Sequence, residues 1–239
     1  MSHWKRNLIV LCLGQLLTMV GFSAYLPFAA YYMQTLGARS TSEVTALMAV
    51  FESGSAVTMM IFAPIWGGLA DRFGRKVMLV RATFFGAVLA FLMGLAQNPT
   101  QLIVIRLLQG VFCGTVAAAN TLVATQTPDE SLGKALGVMQ TTQYAAHAVG
   151  PLIGGVLADA FGFRAVFPMS AAMMAVAMLG VTFLVRENYK PVPSKRQQGR
   201  LPLNREALAG IITRNTLVLM LALSSTSFAI AVLSPVFPL

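Results

Sequence analysis

Two ionisable residues, Glu52 and Arg106, lie inside long apolar stretches of the 239-residue sequence. If such stretches cross a membrane, each ionised side chain costs at least about 2.5–3.5 kcal/mol and usually has a functional reason. Burial favours the neutral form of a carboxyl group, which suits reversible protonation. We therefore predict that Glu52 carries a proton or balances the charge of a cationic compound. A neutral, hydrogen-bonded Glu52 near the outer interface, and an Arg106 that snorkels to that interface, remain open as alternatives.

Further polar residues follow Arg106 along the same stretch. Gln109, Cys113 and Asn120 come three, seven and fourteen residues after it. These steps place all four residues on one face of an α-helix. A polar face on an otherwise apolar helix predicts the wall of a cavity that contacts a substrate.

Helical spacing also aligns the polar residues Gln140, Gln143 or Tyr144, and His147. We expect them to face the same cavity. His147 has the side chain that titrates nearest neutral pH, although a structural, hydrogen-bonded histidine fits the pattern as well. Tyr25, in the first apolar stretch, either contacts aromatic substrates or packs against neighbouring helices.

Glycine and proline interrupt the same stretch at Gly150, Pro151, Gly154 and Gly155. A proline inside a helix removes one backbone hydrogen bond and bends the helix. Glycines allow another membrane helix to approach closely. The pattern predicts a hinge or a packing seam.

A charged loop follows the second apolar stretch. Asp71 lies where a helix is expected to end, and a carboxylate there opposes the helix dipole. It therefore requires a cationic partner, and Arg72 or Arg75 is near enough in sequence. Gly74 permits a tight reversal of the backbone. The loop is either a gate latch or an anchor that fixes topology, and its defining residues are Gly67, Asp71, Arg72, Gly74, Arg75 and Lys76.

Composition indicates that these stretches belong to a membrane protein. Hydrophobic residues make up 56% of the chain and charged residues only 10%, whereas soluble domains have about a quarter charged. Runs of about 18 apolar residues or more are long enough to cross a bilayer as helices. We predict an all-α, polytopic bundle, and its seven spans are 7–33, 44–70, 77–96, 102–125, 134–160, 165–185 and 217–239.

Capping residues precede several of these spans. Serine, threonine and asparagine side chains accept hydrogen bonds from the first free N–H groups of a helix, and a glutamate three residues later completes a capping box. The signals are Ser40 with Glu43, Asn98 before Pro99, and Thr127-Pro128 with Glu130.

The basic residues predict the orientation, because cytoplasmic loops carry an excess of Lys and Arg. With the N-terminus inside, all but three of the 17 Lys and Arg residues lie at or near the cytoplasmic side. The exceptions are Arg39, Arg106 and Arg164. Topology thus accounts for the net charge of +9, and a nucleic-acid partner is not expected.

Two segments of the sequence repeat each other. Residues 64–75 and 151–164 share a proline, paired glycines, Leu-Ala-Asp or Ala-Asp, Phe-Gly and a final arginine in the same order. They end the second and the fifth spans, which run in opposite directions, and this predicts two inverted three-helix repeats. We expect a six-helix bundle at 1–187, a cytoplasmic linker at 188–214, and at 215–239 the first helix of a truncated second bundle.

No enzymatic or cofactor motif accompanies these spans. The sequence has no phosphate-binding glycine loop with its lysine. Two histidines and two cysteines, dispersed along the chain, do not make a metal site. We expect a protein that is not an enzyme and that needs neither a metal nor a cofactor.

The loop residues 67–76 resemble a motif of the major facilitator superfamily, as do Arg106, Gln109 and Gly110. Residues 150–155 resemble a motif of the drug-proton antiporters within that superfamily. The resemblance implies a twelve-span fold with alternating access and a proton-coupling role for Arg106. It also implies export of amphipathic organic compounds across a bacterial inner membrane. The partners would be the substrate, protons, lipid and the C-terminal bundle of the same chain.

This sequence departs from some members of that group, which carry an acid in the first helix where residues 21–23 here are Gly-Phe-Ser. This departure weakens the implication of proton coupling. An importer of sugars or other nutrients with the same fold stays open as an alternative. So does a membrane protein that does not transport, if 239 residues are the native length.

Overall fold

Eight α-helices make up most of residues 3–187, the part of the chain that the computed structural model describes. These residues belong to one compact unit, which covers residues 1–191. The predicted linker at 188–214 and the predicted seventh helix at 215–239 lie outside the described residues. The helices are α1 (His3–Tyr25), α2 (Ala29–Thr35), α3 (Thr41–Phe73), α4 (Arg75–Gly94), α5 (Pro99–Phe112), α6 (Thr115–Gln126), α7 (Asp129–Phe161) and α8 (Phe163–Leu184).

Five helical segments of the described region are long and apolar enough to cross a membrane. They are α1, α3, α4, the combined α5 and α6, and α8. The predicted fifth span corresponds to α7, which has 33 residues but is not among the five. The polar residues from Gln140 to Gln143, followed by His147, lower the hydropathy of its middle.

Two of the predicted spans are broken helices. The first span divides into α1 and α2 around Pro27, because proline has no N–H to continue the helical hydrogen bonds. The fourth divides into α5 and α6 at Cys113 and Gly114. Gly114 has φ +139°, a conformation that side-chain-bearing residues rarely adopt. The prediction of two continuous helices was therefore wrong at these positions.

Two of the three predicted helix caps are confirmed. The Ser40 side chain accepts a hydrogen bond from the Glu43 N–H, and the Asn98 side chain accepts one from the Gln101 N–H. The predicted cap at Thr127 was wrong. Pro128 occupies the N-cap position of α7, and Thr127 instead ends α6.

The helices α3 and α7 match each other as the sequence repeat predicts. Each has 33 residues and an interior proline, Pro64 in one and Pro151 in the other. Each ends at a glycine with nearly the same backbone angles: φ 96° and ψ 151° at Gly74, and φ 82° and ψ 159° at Gly162. The same reversal therefore leads into α4 and into α8.

The core of the bundle forms around α1, which packs mainly against α7 and α8, while α3 packs mainly against α5. Tyr25, Phe51 and Phe167 are among the largest fully buried side chains. By contrast, few residues of α3 are buried within the described bundle. The helices α3, α5 and α1 together position the charged residues predicted above.

Candidate functional site

Arg106 of α5 is the centre of a polar cluster inside the bundle. Its Nη1 donates to Gln109 Oε1 at 2.6 Å and to Tyr25 Oη at 3.3 Å, and its Nη2 lies 3.4 Å from Glu52 Oε2. The Tyr25 hydroxyl in turn donates to Gln109 Oε1 at 3.0 Å. The guanidinium also lies over the ring of Phe51, 4.9 Å from its centre, an arrangement that favours a cation. The structure thus brings Glu52 and Arg106 together.

The two members of the ion pair differ in exposure. The Arg106 side chain is 12% exposed and the Glu52 side chain 49% exposed. Arg106 therefore does not snorkel to a membrane interface but is held inside the bundle by neutral partners. Glu52 lies at the surface of the described bundle, where Arg106 of α5 is its partner.

A close crossing of α5 and α3 sets the spacing of this pair. A Cβ atom built at Gly110 would overlap the hydroxyl of Thr58 and the backbone carbonyl of Ser55. The Thr58 hydroxyl donates to the Leu107 carbonyl at 3.1 Å, which ties the two helices together beside the glycine. Because Gly110 is one turn after Arg106, this crossing holds the guanidinium beside Glu52.

Packing against neighbouring helices, one of the two roles left open for Tyr25, is confirmed, and Gln109, which was expected on a cavity wall, is also buried. Tyr25 is 0% exposed and stacks on Phe167 with 5.2 Å between ring centres, and Gln109 is 2% exposed. Both are inside the bundle, where they orient Arg106. The Nε2 of Gln109 and the Nε of Arg106 are buried without a hydrogen-bond partner among the described residues. Buried donors of this kind favour an added acceptor, such as water.

The predicted polar face from Arg106 to Asn120 is interrupted. The helix that carries Arg106 ends before Cys113, so Asn120 belongs to a separate helix, α6. Its side-chain carbonyl accepts a hydrogen bond from the Nε2 of Gln143 in α7 at 3.3 Å. These two amides therefore join α6 to α7 instead of extending the Arg106 cluster.

The other polar residues predicted on α7 face away from its packed side. Gln143 is buried, whereas Gln140, Tyr144 and His147 are exposed, with Tyr144 at 71%. The exposed residues are spaced by four and three, so they share one helical face. This face is available to a cavity, although it does not include Gln143.

The glycines of α7 form a packing seam with α1. A Cβ at Gly150 would overlap the Ser23 side chain, and one at Gly154 would overlap the backbone of Ala24. Gly155 is looser, with the Phe28 ring 3.7 Å from such an atom. Pro151 leaves the carbonyl of His147 without its helical partner.

The prediction of a charged loop at residues 67–76 was wrong in extent: these residues form the end of α3, the reversal at Gly74 and the start of α4. Arg75 Nη2 is 3.5 Å from Asp71 Oδ1, which is the local partner that the sequence predicted. Asp71 remains largely exposed, with 68% of its side chain accessible. Arg72 stacks on Phe73, with its guanidinium carbon 5.4 Å from the ring centre. Gly67 is exposed and has no described neighbour within 4 Å of where its Cβ would be.

Sequence reasoning missed Glu187, which follows α8. Its two carboxylate oxygens accept hydrogen bonds from the backbone N–H groups of Arg75 at 3.1 Å and Lys76 at 2.9 Å. The ammonium of Lys76 donates to the Thr182 carbonyl at 2.7 Å. Glu187 thus caps the N-terminus of α4, which has no side-chain cap of its own. The sequence contained one signal for this contact: the start of α4 has no capping side chain of its own, and an acidic residue, Glu187, follows the sixth span.

Comparison with known proteins gives a consistent result. The sequence profile of the Major Facilitator Superfamily matches residues 11–239. Multidrug resistance protein MdtG of Klebsiella pneumoniae (strain 342) is 42% identical over 193 residues, which are 81% of this chain and 47% of that protein. MdtG of Proteus mirabilis (strain HI4320) is 38% identical over 230 residues, which are 95% of this chain and 57% of that protein. The chain thus spans about half the length of these relatives.

Solved structures with a similar fold include the human organic anion transporter MFSD10. It aligns with a TM-score of 0.66 and 18% identity, over 78% of this chain and 49% of that one. An auto-inhibited peptide transporter of the POT family aligns with a TM-score of 0.64 and 17% identity, over 79% of this chain and 38% of that one. At such low identities the likeness concerns the fold alone.

Proposed function

The chain belongs to the major facilitator superfamily, and we propose that it forms the first bundle of a transporter that exports drugs or other amphipathic organic compounds by proton antiport. The observation that carries this proposal is the ion pair between Arg106 and the half-exposed Glu52. The MdtG relatives support multidrug export as the activity of the full-length protein.

Arg106 keeps its place whether or not Glu52 is charged. Its bonds to Gln109 and Tyr25 are made with neutral groups, so they persist when Glu52 takes up a proton. Protonation removes the attraction between the carboxylate and the guanidinium. Protonation therefore weakens the contact of Glu52 with Arg106, while the bonds of Arg106 to Gln109 and Tyr25 are kept.

The exposure of Glu52 allows a proton and a cationic substrate to compete for one carboxylate. A cation that approaches the deprotonated side chain is attracted, and a proton bound there removes that attraction. Binding of the two is then mutually exclusive at this atom, which is the requirement for exchange of one for the other.

Accumulation of a fluorescent cationic dye in everted membrane vesicles containing the full-length protein, which corresponds to efflux from cells, tests this proposal. We expect efflux driven by an imposed proton gradient to be lost in Glu52→Gln. Glu43→Gln is the matched control, because Glu43 lies in the first turn of the same helix and outside the Arg106 cluster. Gradient-driven efflux that survives in Glu52→Gln at the level of the control would remove Glu52 from the mechanism.

We also propose that the loop of residues 67–76 is a gate latch on the cytoplasmic side. Asp71 is largely exposed, and its ion pair with Arg75 lies at the surface of the described bundle. Such pairs contribute about 0–1 kcal/mol, so exchanging this pair for another when two bundles move costs little. Asp71→Asn should depress transport while leaving the amount of protein in the membrane unchanged. Unchanged transport would support the topology anchor instead.

The protein is a multi-pass membrane protein, and we propose a bacterial inner membrane with the N-terminus in the cytoplasm. Arg72, Arg75, Lys76 and Arg186 lie at one end of the bundle, which supports this orientation through the excess of basic residues in cytoplasmic loops. Residues 215–239 would begin the second bundle. Single cysteines introduced at the exposed residues 42 and 72 test the orientation, because only the former should react with an impermeant thiol reagent in intact cells.

A further inference from the structure

A cavity of about 360 Å³ opens at the end of the bundle opposite the 67–76 loop. It lies where the last turn of α4 meets the first turns of α8 and the end of α7. Its lining is apolar apart from one cation, Arg164. The side chains of Phe91, Leu95 and Phe161 are 49%, 51% and 67% exposed, so the cavity opens on the outer surface of the described bundle and not in its core.

Close packing beneath the cavity fixes the arginine. At Gly94 a Cβ atom would be only 3.0 Å from Pro168 and 3.2 Å from Phe167, so α4 and α8 touch there. The Nε of Arg164 donates to the Gly94 carbonyl at 2.7 Å. This bond holds the stem of the side chain at the cavity and leaves the two terminal nitrogens of the guanidinium for another acceptor. No carboxylate within residues 3–187 forms an ion pair with Arg164.

The position of Arg164 is unfavourable unless an anion accompanies it. It lies in the first turn of α8, where a positive charge opposes the helix dipole by about 0.3–1 kcal/mol. It is also at the end of the bundle where basic residues are scarce, contrary to the usual distribution in membrane proteins. An anionic group at the cavity mouth would offset the unfavourable interaction of Arg164 with the helix dipole. It would also explain why a basic residue lies at this end of the bundle.

We propose that this cavity binds an anionic phospholipid from the leaflet at that end of the bundle. The phosphate accepts hydrogen bonds from the terminal nitrogens of Arg164, and an acyl chain lies against Phe91, Leu95 and Phe161. Charge complementarity selects the phosphate. The side chains around it are apolar and lie where three helices begin or end. Such a surface favours a lipid, whose acyl chain packs against it, over a soluble anion. This inference does not depend on the transported substrate.

Native mass spectrometry of the purified full-length protein, titrated with phosphatidylglycerol and phosphatidylcholine of identical chains, tests the proposal. A charge-assisted bond at a membrane surface supports a preference of about fivefold to tenfold for the anionic lipid. We expect Arg164→Gln to abolish this preference for one bound lipid. Arg39→Gln is the matched control, since Arg39 is the other basic residue near that end of the bundle and does not line the cavity.

Two further variants separate this site from general surface charge and from misfolding. Arg164→Lys should retain part of the preference because it keeps the charge. In the Leu95→Trp variant, brominated phosphatidylglycerol should quench the fluorescence of the introduced tryptophan. Adding Arg164→Gln should reduce that quenching several-fold. An equal preference in the wild type, Arg164→Gln and Arg39→Gln would overturn the proposal. So would quenching of Trp fluorescence at position 95 that is independent of Arg164.

Discussion

Gly110→Ala tests the crossing of α5 and α3 that holds Arg106 beside Glu52. The added Cβ would overlap both the Thr58 hydroxyl and the Ser55 carbonyl. A side chain could turn away, but the carbonyl belongs to the backbone, so the helices must separate. Overpacking of this kind costs about 1–3 kcal/mol, and better helix propensity offsets about 0.5–1 kcal/mol of it.

The separation should also weaken the ion pair. The Arg106 and Glu52 atoms are 3.4 Å apart, so a shift of about 1 Å, the scale of helix shifts at allosteric subunit interfaces, takes them beyond 4 Å. We therefore expect a lower midpoint of thermal unfolding together with reduced gradient-driven dye efflux. Adding Thr58→Ala to Gly110→Ala should restore only part of the lost thermal stability and of the lost efflux, because the clash with the Ser55 carbonyl remains.

Gly137→Ala provides the matched control. Gly137 lies within helix α7, and nothing is within 4 Å of the position of its Cβ. The substitution should be neutral or slightly stabilising in the same thermal assay. If Gly110→Ala is as stable and as active as Gly137→Ala, the close crossing is refuted, and with it the explanation of how Arg106 is positioned.

Three other substitutions test separate parts of the structure. Arg106→Lys should lower efflux by at least about tenfold, because one ammonium group cannot replace a guanidinium fork that bonds three partners; efflux near the wild-type rate would contradict the cluster. Glu187→Gln should reduce the free energy of unfolding by about 1 kcal/mol, since it replaces a charged cap of α4 by a neutral one; unchanged stability would argue against the cap. Gly154→Ala should lower the yield of folded protein through overlap with α1, whereas Gly180→Ala, at an open position, should not; equal yields would contradict the seam.

Much of the fold was predictable, because hydrophobic length and helix caps act locally. The caps at Ser40 and Asn98 are confirmed, and the repeat correctly indicated two matching helices that end at Gly74 and Gly162. The breaks at Pro27 and Gly114 were missed. The apolar runs continue through both positions, so hydropathy alone does not indicate an interruption. Pro27 itself was a local signal for the first break.

The charged residues of the candidate site were predicted, but their surroundings were not. Glu52 and Arg106 were singled out because an ionised group inside a membrane span is costly, and the structure places them 3.4 Å apart. The burial of Tyr25 and Gln109 could not be predicted in the same way, because it depends on how α1 and α5 rotate about their axes in the bundle. Glu187 was missed for a similar reason. It is more than 100 residues from the N–H groups that it caps, and only tertiary packing brings them together.

The central claim is that one carboxylate, Glu52, binds a proton and a cationic substrate alternately. Proton release on addition of substrate to the purified full-length protein, in weakly buffered solution with a pH indicator, measures this most directly. The account predicts release from the wild type and from Glu43→Gln, and none from Glu52→Gln. Undiminished release from Glu52→Gln, or none from a wild type that binds the substrate, would contradict it.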